Sequence, residues 1–279
     1  MIHTAKQLKD KVRNISNGDN EVAKALIRIF MMERFLERVS LSKYKNNFIL
    51  KGGMLVASIV GVDMRATMDI DTTVKALPLN EVDAERIITE ICNIQVDDGV
   101  SFKIVSVTNI MTDFEYPGIR MMLEATLERM RQPIKLDIST DDVITPAAVE
   151  YDYKLMFENR TISLLSYNTE TLLAEKLQTI ISRGIANTRM RDFYDVCGIA
   201  KMNAAKINYD LLKEAFQATC EKREIIFSKD EIEEILSTIK SDKPLEQLWE
   251  QFRKRNFFVG SLRWEEVLGE VLHIVSKVI

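Results

Sequence analysis

The sequence predicts an α+β protein, in which a core of strands and flanking helices precedes a helical C-terminal domain. Between residues 48 and 139, several short segments alternate apolar and polar residues with the period of two that is typical of strands. From about residue 168 onwards, apolar residues recur at the spacing of amphipathic helices. Strands followed by a run of helices favour an α+β architecture. We therefore predict two domains, residues 1–165 and residues 166–279.

The first of these domains is predicted to interleave helices with strands. Ala23, Leu26 and Phe30 recur at helical spacing, and Gly61 stops a short helix that begins after a glycine pair. The predicted helices cover residues 4–16, 20–40, 54–60 and 81–93, and the predicted strands cover residues 48–50, 68–74, 100–107, 118–128 and 134–138.

The second domain is predicted to consist of helices. Asn168 or Thr169 caps the first helix, which ends at Gly184. The remaining predicted helices cover residues 189–202, 208–222, 228–240, 244–254 and 263–277.

Composition excludes several classes of protein. The chain has 279 residues, of which 46% are hydrophobic, so global disorder is excluded. Its formal net charge is −4, which argues against a wholly basic nucleic-acid binder but leaves a local basic patch open. The longest apolar run, Met54 to Val62, is far shorter than the roughly 20 residues that span a bilayer. We expect a cytoplasmic protein without a membrane segment.

Cysteine and histidine are too scarce to carry the chemistry. The three cysteines are scattered without a CxxC motif, and the two histidines lie at opposite ends of the chain. A disulfide framework, a cysteine zinc site and a histidine-based mechanism are therefore not expected. Any reaction has to use carboxylates, lysines and arginines, with or without an oxygen-ligated metal ion.

Two carboxylates are predicted to lie side by side on one strand. Asp69 and Asp71 are two residues apart in an alternating segment, so their side chains point to the same face. Like charges at this range repel each other, and a hard cation such as Mg²⁺, with Mn²⁺ as an alternative, would offset that repulsion. The alternative is that both face water or pair with lysine or arginine.

A glycine pair precedes these carboxylates at a predicted strand-to-helix turn. Gly52 and Gly53 permit a tight turn, and the helix that follows offers free N–H groups and the positive end of its dipole. A phosphate group suits such a turn. A lone glycine pair is more often only a turn, but together with the Asp69/Asp71 pair it predicts a site for a metal-bound nucleoside triphosphate.

Asp137 is the third candidate carboxylate. It lies on the polar side of its predicted strand, with Lys135 and Ser139. If this strand neighbours residues 68–74, three carboxylates converge, and Asp137 binds a metal ion or helps to deprotonate an attacking hydroxyl. The alternative is a surface residue.

The first helix of the second domain carries a lysine within its apolar stripe. Lys176 needs an anionic partner there, unless its side chain reaches out to solvent. The functional interpretation is that it reaches a triphosphate or a site carboxylate.

Further along the chain, Arg183, Arg189 and Arg191 form a local basic cluster that could bind phosphates. Asp192 is predicted at the edge of an apolar stripe and Asp195 further out. The alternative is a solvated loop with an ion pair to one of these aspartates.

Four motifs together resemble the AbiEii/AbiGii toxin family of the polymerase-β-like nucleotidyltransferase superfamily. The motifs are LKGG followed by RATMDID, then IKLDI, then ETLLAEKLQTIISRG, then NTRMRDFYD, and they span residues 48–200. The resemblance implies a mixed-sheet nucleotidyltransferase core flanked by helices, with a helical C-terminal domain. Members are toxins of type IV toxin–antitoxin or abortive-infection phage-defence systems, usually encoded beside a separate antitoxin.

The resemblance also implies roles for particular residues. Metal carboxylates match Asp69 and Asp71, the acid of the second motif matches Asp137, and the lysine and aspartate of the last two motifs match Lys176 and Asp192. The phosphate-binding positions match Gly52, Gly53, Arg65 and Thr67, with Arg183 and Arg191 as further candidates.

Three departures from the family pattern stand beside these matches. Gly53 replaces a frequent serine, Arg191 replaces a frequent lysine, and no glycine-aspartate pair follows the second motif.

The expected activity is therefore Mg²⁺-dependent transfer of a nucleotide from an NTP to an acceptor hydroxyl, with the 3′ end of tRNA or another RNA as acceptor. The alternative is an NTP-binding toxin or interaction module without transfer activity.

Overall fold

The computed structural model describes residues 1–61, 65, 67–77, 80–112 and 115–279. Side chains are described for these residues except for those within 111–117. Val62 of the apolar run and Ala66 of the RATMDID motif lie outside the described residues. The fold is α+β, as predicted, and the chain divides into two compact units. Unit 1 comprises Met1–Asp142 and Val149–Ser166, and unit 2 comprises Val143–Ala148 and Tyr167–Ile279.

Unit 1 contains a mixed seven-stranded sheet. Its helices are α1 (Ala5–Ser16), α2 (Asn20–Leu41), α3 (Gly52–Val60) and α4 (Glu81–Cys92), and its strands are β1 (Phe48–Lys51), β2 (Asp69–Val74), β3 (Val100–Thr112), β4 (Glu115–Leu127), β5 (Met130–Thr140), β6 (Val149–Lys154) and β7 (Thr161–Ser166). The strand order is β3-β4-β5-β2-β1-β7-β6. The pairs β2/β5 and β1/β7 are parallel, and the other pairs are antiparallel.

The core of unit 1 lies between α2 and the sheet strands. Ile29, Phe30 and Phe35 of α2 are almost fully buried, as are Leu123 of β4 and Leu136 of β5. Asp19 accepts hydrogen bonds from two backbone N–H groups in the first turn of α2, which fixes the start of this helix. The alternation read from the sequence therefore places one face of β4 and β5 in the core and leaves the other face for polar side chains.

The strands β6 and β7 were not predicted. Tyr153 in β6 and Ile162 and Leu164 in β7 are buried and alternate with polar residues, so a period of two was present in the sequence. The polar character of β6, with Glu150 and Asp152, masks that signal, because an edge strand buries little of its surface.

Unit 2 contains six α-helices in its described residues, close to the predicted bounds. They are α5 (Thr169–Arg183), α6 (Met190–Asn203), α7 (Tyr209–Lys222), α8 (Lys229–Ser241), α9 (Lys243–Arg255) and α10 (Trp264–Ser276). Asn168 caps α5 by accepting a hydrogen bond from the N–H of Thr171. Within the described residues, none of the helices has the length and apolar character needed to span a membrane.

Candidate active site

The glycine pair forms a tight corner between β1 and α3. Gly52 has φ +60°, a left-handed conformation that favours glycine, and a Cβ on Gly52 would overlap the carboxylate of Asp71. A Cβ on Gly53 would overlap Oγ1 of Thr67 and lie 3.3 Å from a guanidinium nitrogen of Arg65. Arg65 and Thr67 are both buried. Glycine at these two positions therefore leaves the space that the side chains of Asp71 and Thr67 occupy.

The candidate carboxylates lie on one face of two neighbouring parallel strands. Asp69 and Asp71 point the same way from β2, and Asp71 is the direct register partner of Asp137 on β5. The condition set by the sequence, that the strand of Asp137 neighbours residues 68–74, is therefore met. We call Asp69, Asp71 and Asp137 the carboxylate face.

Two basic side chains neutralise part of the carboxylate face. Lys135 Nζ lies 2.6 Å from Oδ2 of Asp69 and 3.6 Å from Oδ2 of Asp137. Arg120 of β4, the register partner of Asp137, donates from Nε and Nη2 to the two carboxylate oxygens at 2.8 and 2.9 Å. Pairing with lysine or arginine was the alternative for Asp69 and Asp71, and for Asp69 it is what the structure shows. Asp137, for which the alternative was a surface residue, is paired with Arg120.

Asp71 has a different environment from the other two. Its Oδ2 accepts a hydrogen bond from the N–H of Gly53 at 3.2 Å, so it is tied to the first turn of α3. Burial raises the pKa of Asp71 above its ordinary value, although the Gly53 hydrogen bond and the charge of Lys51 oppose that rise. Lys51 itself is ion-paired with Asp142. Asp71 therefore joins the glycine corner to the carboxylate face.

The donor set of this face suits a hard divalent cation, because all its ligand atoms are carboxylate oxygens. In the described part of the chain, however, no three Asp, Glu, His or Cys side chains converge closely enough to hold a metal ion. A cation is nevertheless present, since the Lys135 ammonium contacts Asp69 and Asp137. The carboxylate oxygens are thus suitable ligands for a divalent cation, and the ammonium of Lys135 now supplies the positive charge between Asp69 and Asp137.

The predicted residues of unit 2 form a second charged cluster. Lys176 Nζ lies 3.1 Å from Oδ1 of Asp192 and 2.7 Å from Oδ2 of Asp195. The Lys176 side chain is only 11% exposed, so it does not reach out to solvent as the alternative required. Asp192 and Asp195 are therefore the anionic partners that a lysine within an apolar stripe needs.

The position of Asp195 corrects one expectation. The sequence pattern placed it on the outer side of α6, but its side chain is fully buried and pairs with Lys176. The ammonium of Lys176 offsets part of the cost of burying this carboxylate, and because Lys176 lies on another helix, helical spacing alone does not reveal the pair.

The arginines of the basic cluster lie at the surface of unit 2 to different degrees. Arg189 Nε lies 3.0 Å from Oδ2 of Asp192, as the ion-pair alternative proposed. Arg183 is exposed in the last turn of α5, and Arg191 is half-buried in the first turn of α6. A phosphate-binding role of Arg183 and Arg191 stays a prediction.

Sequence reasoning did not assign Lys135, Arg120 and Asp195 to a site. Lys135 had a usable signal, because it lies two residues before Asp137 on the same strand face. Arg120 lies on the polar side of its alternating segment, but its partner depends on the pairing of β4 with β5, which the sequence does not state.

A family model described as the nucleotidyl transferase AbiEii toxin of a type IV toxin–antitoxin system matches residues 34–270. These residues include the glycine corner, the carboxylate face and Lys176. The comparison with curated proteins gives no match.

Solved structures give more distant similarities. JHP933 from Helicobacter pylori is 17% identical over 91% of this chain and 93% of that chain, with a TM-score of 0.49. A candidate nucleotidyltransferase from H. pylori is 18% identical over 91% of this chain and 96% of its own, with a TM-score of 0.48. An antigenic nucleotidyltransferase-like protein from Paracoccidioides brasiliensis is 14% identical over 86% and 94%, with a TM-score of 0.38.

Proposed function

The chain belongs to the family of AbiEii nucleotidyl transferase toxins of type IV toxin–antitoxin systems, and we propose that it uses its carboxylate face to transfer a nucleotide from an NTP to an RNA 3′ hydroxyl, with tRNA as the acceptor. The observation that carries this proposal is the hydrogen bond between Gly53 and Asp71. It joins a corner suited to polyphosphate to a pair of register-matched carboxylates, Asp71 and Asp137.

The proposed reaction is an in-line displacement at the α-phosphorus. The acceptor oxygen forms a bond to that phosphorus, the bond to the oxygen that bridges to the β-phosphorus breaks, and pyrophosphate leaves. The hydroxyl proton passes to a base, for which Asp137 is the candidate because it lies opposite Asp71 and is partly exposed, although Arg120 binds both of its oxygens. Arg120 would have to release one of these oxygens for the acceptor.

Asp69, Asp71 and Asp137 would hold Mg²⁺, or Mn²⁺, when the triphosphate is bound. A divalent ion there would supply positive charge to the triphosphate and to the attacking oxygen. The contribution of the chain is to fix Asp71 through the N–H of Gly53 and to keep Asp71 and Asp137 side by side on paired strands.

The triphosphate is proposed to lie at the glycine corner. The first turn of α3 begins at Gly52 and offers backbone N–H groups to the phosphates. The space beside the two glycines is occupied by the side chains of Asp71, Thr67 and Arg65, which hold the corner in place.

Lys176 and Asp192 of unit 2 are proposed to take part in the reaction, as their matches to the family motifs imply. Asp192 would orient Lys176, with which it is paired at 3.1 Å. Arg183 and Arg191 are proposed to bind phosphates.

The proposed acceptor has to fit an acidic protein. A net charge of −4 disfavours an extended nucleic-acid footprint, whereas a single RNA end needs few phosphate contacts. Membership of a type IV system implies a separate antitoxin that prevents growth inhibition.

Labelling distinguishes transfer from binding. Wild-type protein is incubated with purified tRNA and each of the four NTPs in turn, labelled at the α-phosphate or the γ-phosphate, with Mg²⁺ or with a chelator. We expect tRNA to acquire the α-label but not the γ-label, and to lose this labelling in the chelator. Transfer of the γ-label, or no label with any NTP, would refute the proposal.

A specific observation favours one alternative, an NTP-binding module without transfer. Lys135 and Arg120 already occupy Asp69 and Asp137, which is also what a site without catalytic function would show. Such a module would show an NTP-dependent increase in thermal stability but no labelled RNA.

A further inference from the structure

One ammonium group is shared by two carboxylates of the face. Lys135 Nζ contacts Asp69 on β2 at 2.6 Å and Asp137 on β5 at 3.6 Å, and its side chain is 26% exposed. It is therefore a cation within a site whose ligands come from two strands. Arg120 differs, because its guanidinium binds both oxygens of a single carboxylate, that of Asp137.

The register of β2 with β5 places Lys135 between the two carboxylates. Lys135 is the direct neighbour of Asp69 across the parallel β2/β5 pair, and it lies two residues before Asp137 on the same face of β5. A lysine there can reach both carboxylates with little reorganisation of the backbone. An ammonium is also a compact point charge, like the hydrated divalent ion that such ligands bind.

We infer that Lys135 is the resident counter-ion of the carboxylate face, and that a divalent cation has to displace its ammonium from Asp69 and Asp137 in order to bind. Lys135 then sets the affinity for the metal ion. Its positive charge competes with the metal ion for the carboxylates when no nucleotide is bound. A bound triphosphate is negative and attracts both the metal ion and the released ammonium, so it favours the exchange of the ammonium for the metal ion. This inference rests on the proposed function, because it assumes that Asp69 and Asp137 are metal ligands.

The exposure of the ion pairs makes such an exchange feasible. The side chains of Asp69 and Asp137 are 29% and 21% exposed, so their pairs with Lys135 are open to solvent and contribute little to stability. A buried pair would resist displacement, since breaking it would leave an uncompensated charge in the interior.

The test measures Mn²⁺ binding without nucleotide, by the loss of the electron paramagnetic resonance signal of free Mn²⁺. The variants are Lys135→Met, which removes the charge, and Lys135→Arg, which keeps it. The matched control is Lys154→Met on β6, an exposed lysine that three strands separate from β5. Asp69→Asn identifies which binding belongs to the face.

We expect Lys135→Met to bind Mn²⁺ on the order of tenfold more tightly than the wild type, because a competing positive charge has been removed. Lys135→Arg and Lys154→Met should stay within about twofold of the wild type, since the competing charge is retained or was never close. In chelator, Lys135→Met should have the lower thermal midpoint, and saturating Mn²⁺ should raise its midpoint by more than that of the wild type.

Two kinds of result would overturn the inference, and they are distinguishable. If Asp69-dependent Mn²⁺ binding exists but is equal or weaker in Lys135→Met, the counter-ion role is wrong and the proposed metal site stands. If neither protein shows Asp69-dependent binding, both the inference and the metal ion of the proposed function fail. Should Lys135→Met not fold, Lys135→Gln is measured in the same way, and its expected result is the same.

Discussion

Unit 1 contains two networks of charged side chains that differ in exposure. The first, here called the buried network, lies beside α2 and consists of Arg34, Glu37, Arg38, Asp98 and Glu158, with the partly exposed Arg160 at its edge. In it, Arg38 binds both oxygens of Asp98 at 2.7 and 3.0 Å, with both side chains almost inaccessible to solvent. The second is the carboxylate face with Lys135 and Arg120, whose side chains are partly exposed.

Burial, rather than the number of ion pairs, therefore separates the charges that stabilise the fold from the charges that are available for chemistry. Removing one partner of a buried pair leaves a charge in a medium of low polarity, which costs several kcal/mol. Removing one partner of a partly exposed pair lets water solvate the other. The carboxylate face can therefore exchange its partners, whereas the buried network cannot.

The largest effect on stability is expected from Arg38→Met. This variant leaves Asp98 buried without its partner, and it also removes the hydrogen bond from Arg38 to the carbonyl oxygen of Val100 at 2.6 Å. We expect the free energy of unfolding to fall by about 3–5 kcal/mol. Denaturant unfolding measures it, with Arg131→Met, an exposed arginine, as the control. A loss below about 1 kcal/mol would show that the buried network does not stabilise the fold.

A somewhat smaller loss is expected from Lys176→Met in unit 2. The variant leaves Asp192 and Asp195 buried beside each other, with Arg189 still near Asp192, so we expect a loss of about 2–4 kcal/mol. Adding Asp195→Asn should restore a part of that loss, because it removes one of the two charges. Lys206→Met, an exposed lysine, is the matched control. A double variant as unstable as the single one would show that Lys176 stabilises through packing.

An effect that depends on pH is expected from Glu33, a buried acid of α2. Burial raises its pKa from 4.5 to about 8, although Arg34 and the N–H of Met156 oppose the rise. Because the pKa in the folded chain exceeds that in the unfolded chain, the proton stabilises the folded state fully below about pH 4.5 and progressively less as the pH rises to about 8.

Glu33→Gln isolates this contribution, since glutamine does not titrate. The difference in unfolding free energy, wild type minus variant, should fall by about 1.4 kcal/mol per pH unit between about pH 5 and pH 8. Unfolding curves across this range measure it. A difference that stays constant with pH would contradict the raised pKa.

Much of the fold could be predicted from the sequence, because periodicity reports burial directly. The helices of unit 2 begin and end close to the expected residues, and β2, β4 and β5 follow the alternation that predicted them. The strands β6 and β7 escaped, since the edge strand β6 is largely polar. The predicted domain boundary at residue 165 stays a prediction. The division between the two compact units falls close to it, between Ser166 and Tyr167.

The candidate site was predicted as a set of residues but not as a set of contacts. Asp69 and Asp71 share a face because they are two apart, which the sequence states. The position of Asp137 opposite Asp71, and of Lys135 opposite Asp69, depends on the register of β2 with β5, which no local pattern fixes. Asp195 was misplaced because its burial depends on Lys176, which lies on another helix.

The smallest effect on stability is expected from Asp69→Asn, and this variant also tests the catalytic role of the carboxylate face most directly. The rate of nucleotide transfer to tRNA is measured together with the free energy of unfolding, with Asp152→Asn, an exposed aspartate of β6, as the matched control. We expect Asp69→Asn to lose at least about a hundredfold in rate while its unfolding free energy stays within about 1 kcal/mol of the wild type. A rate within a few-fold of the wild type and of Asp152→Asn would contradict the catalytic role of the carboxylate face.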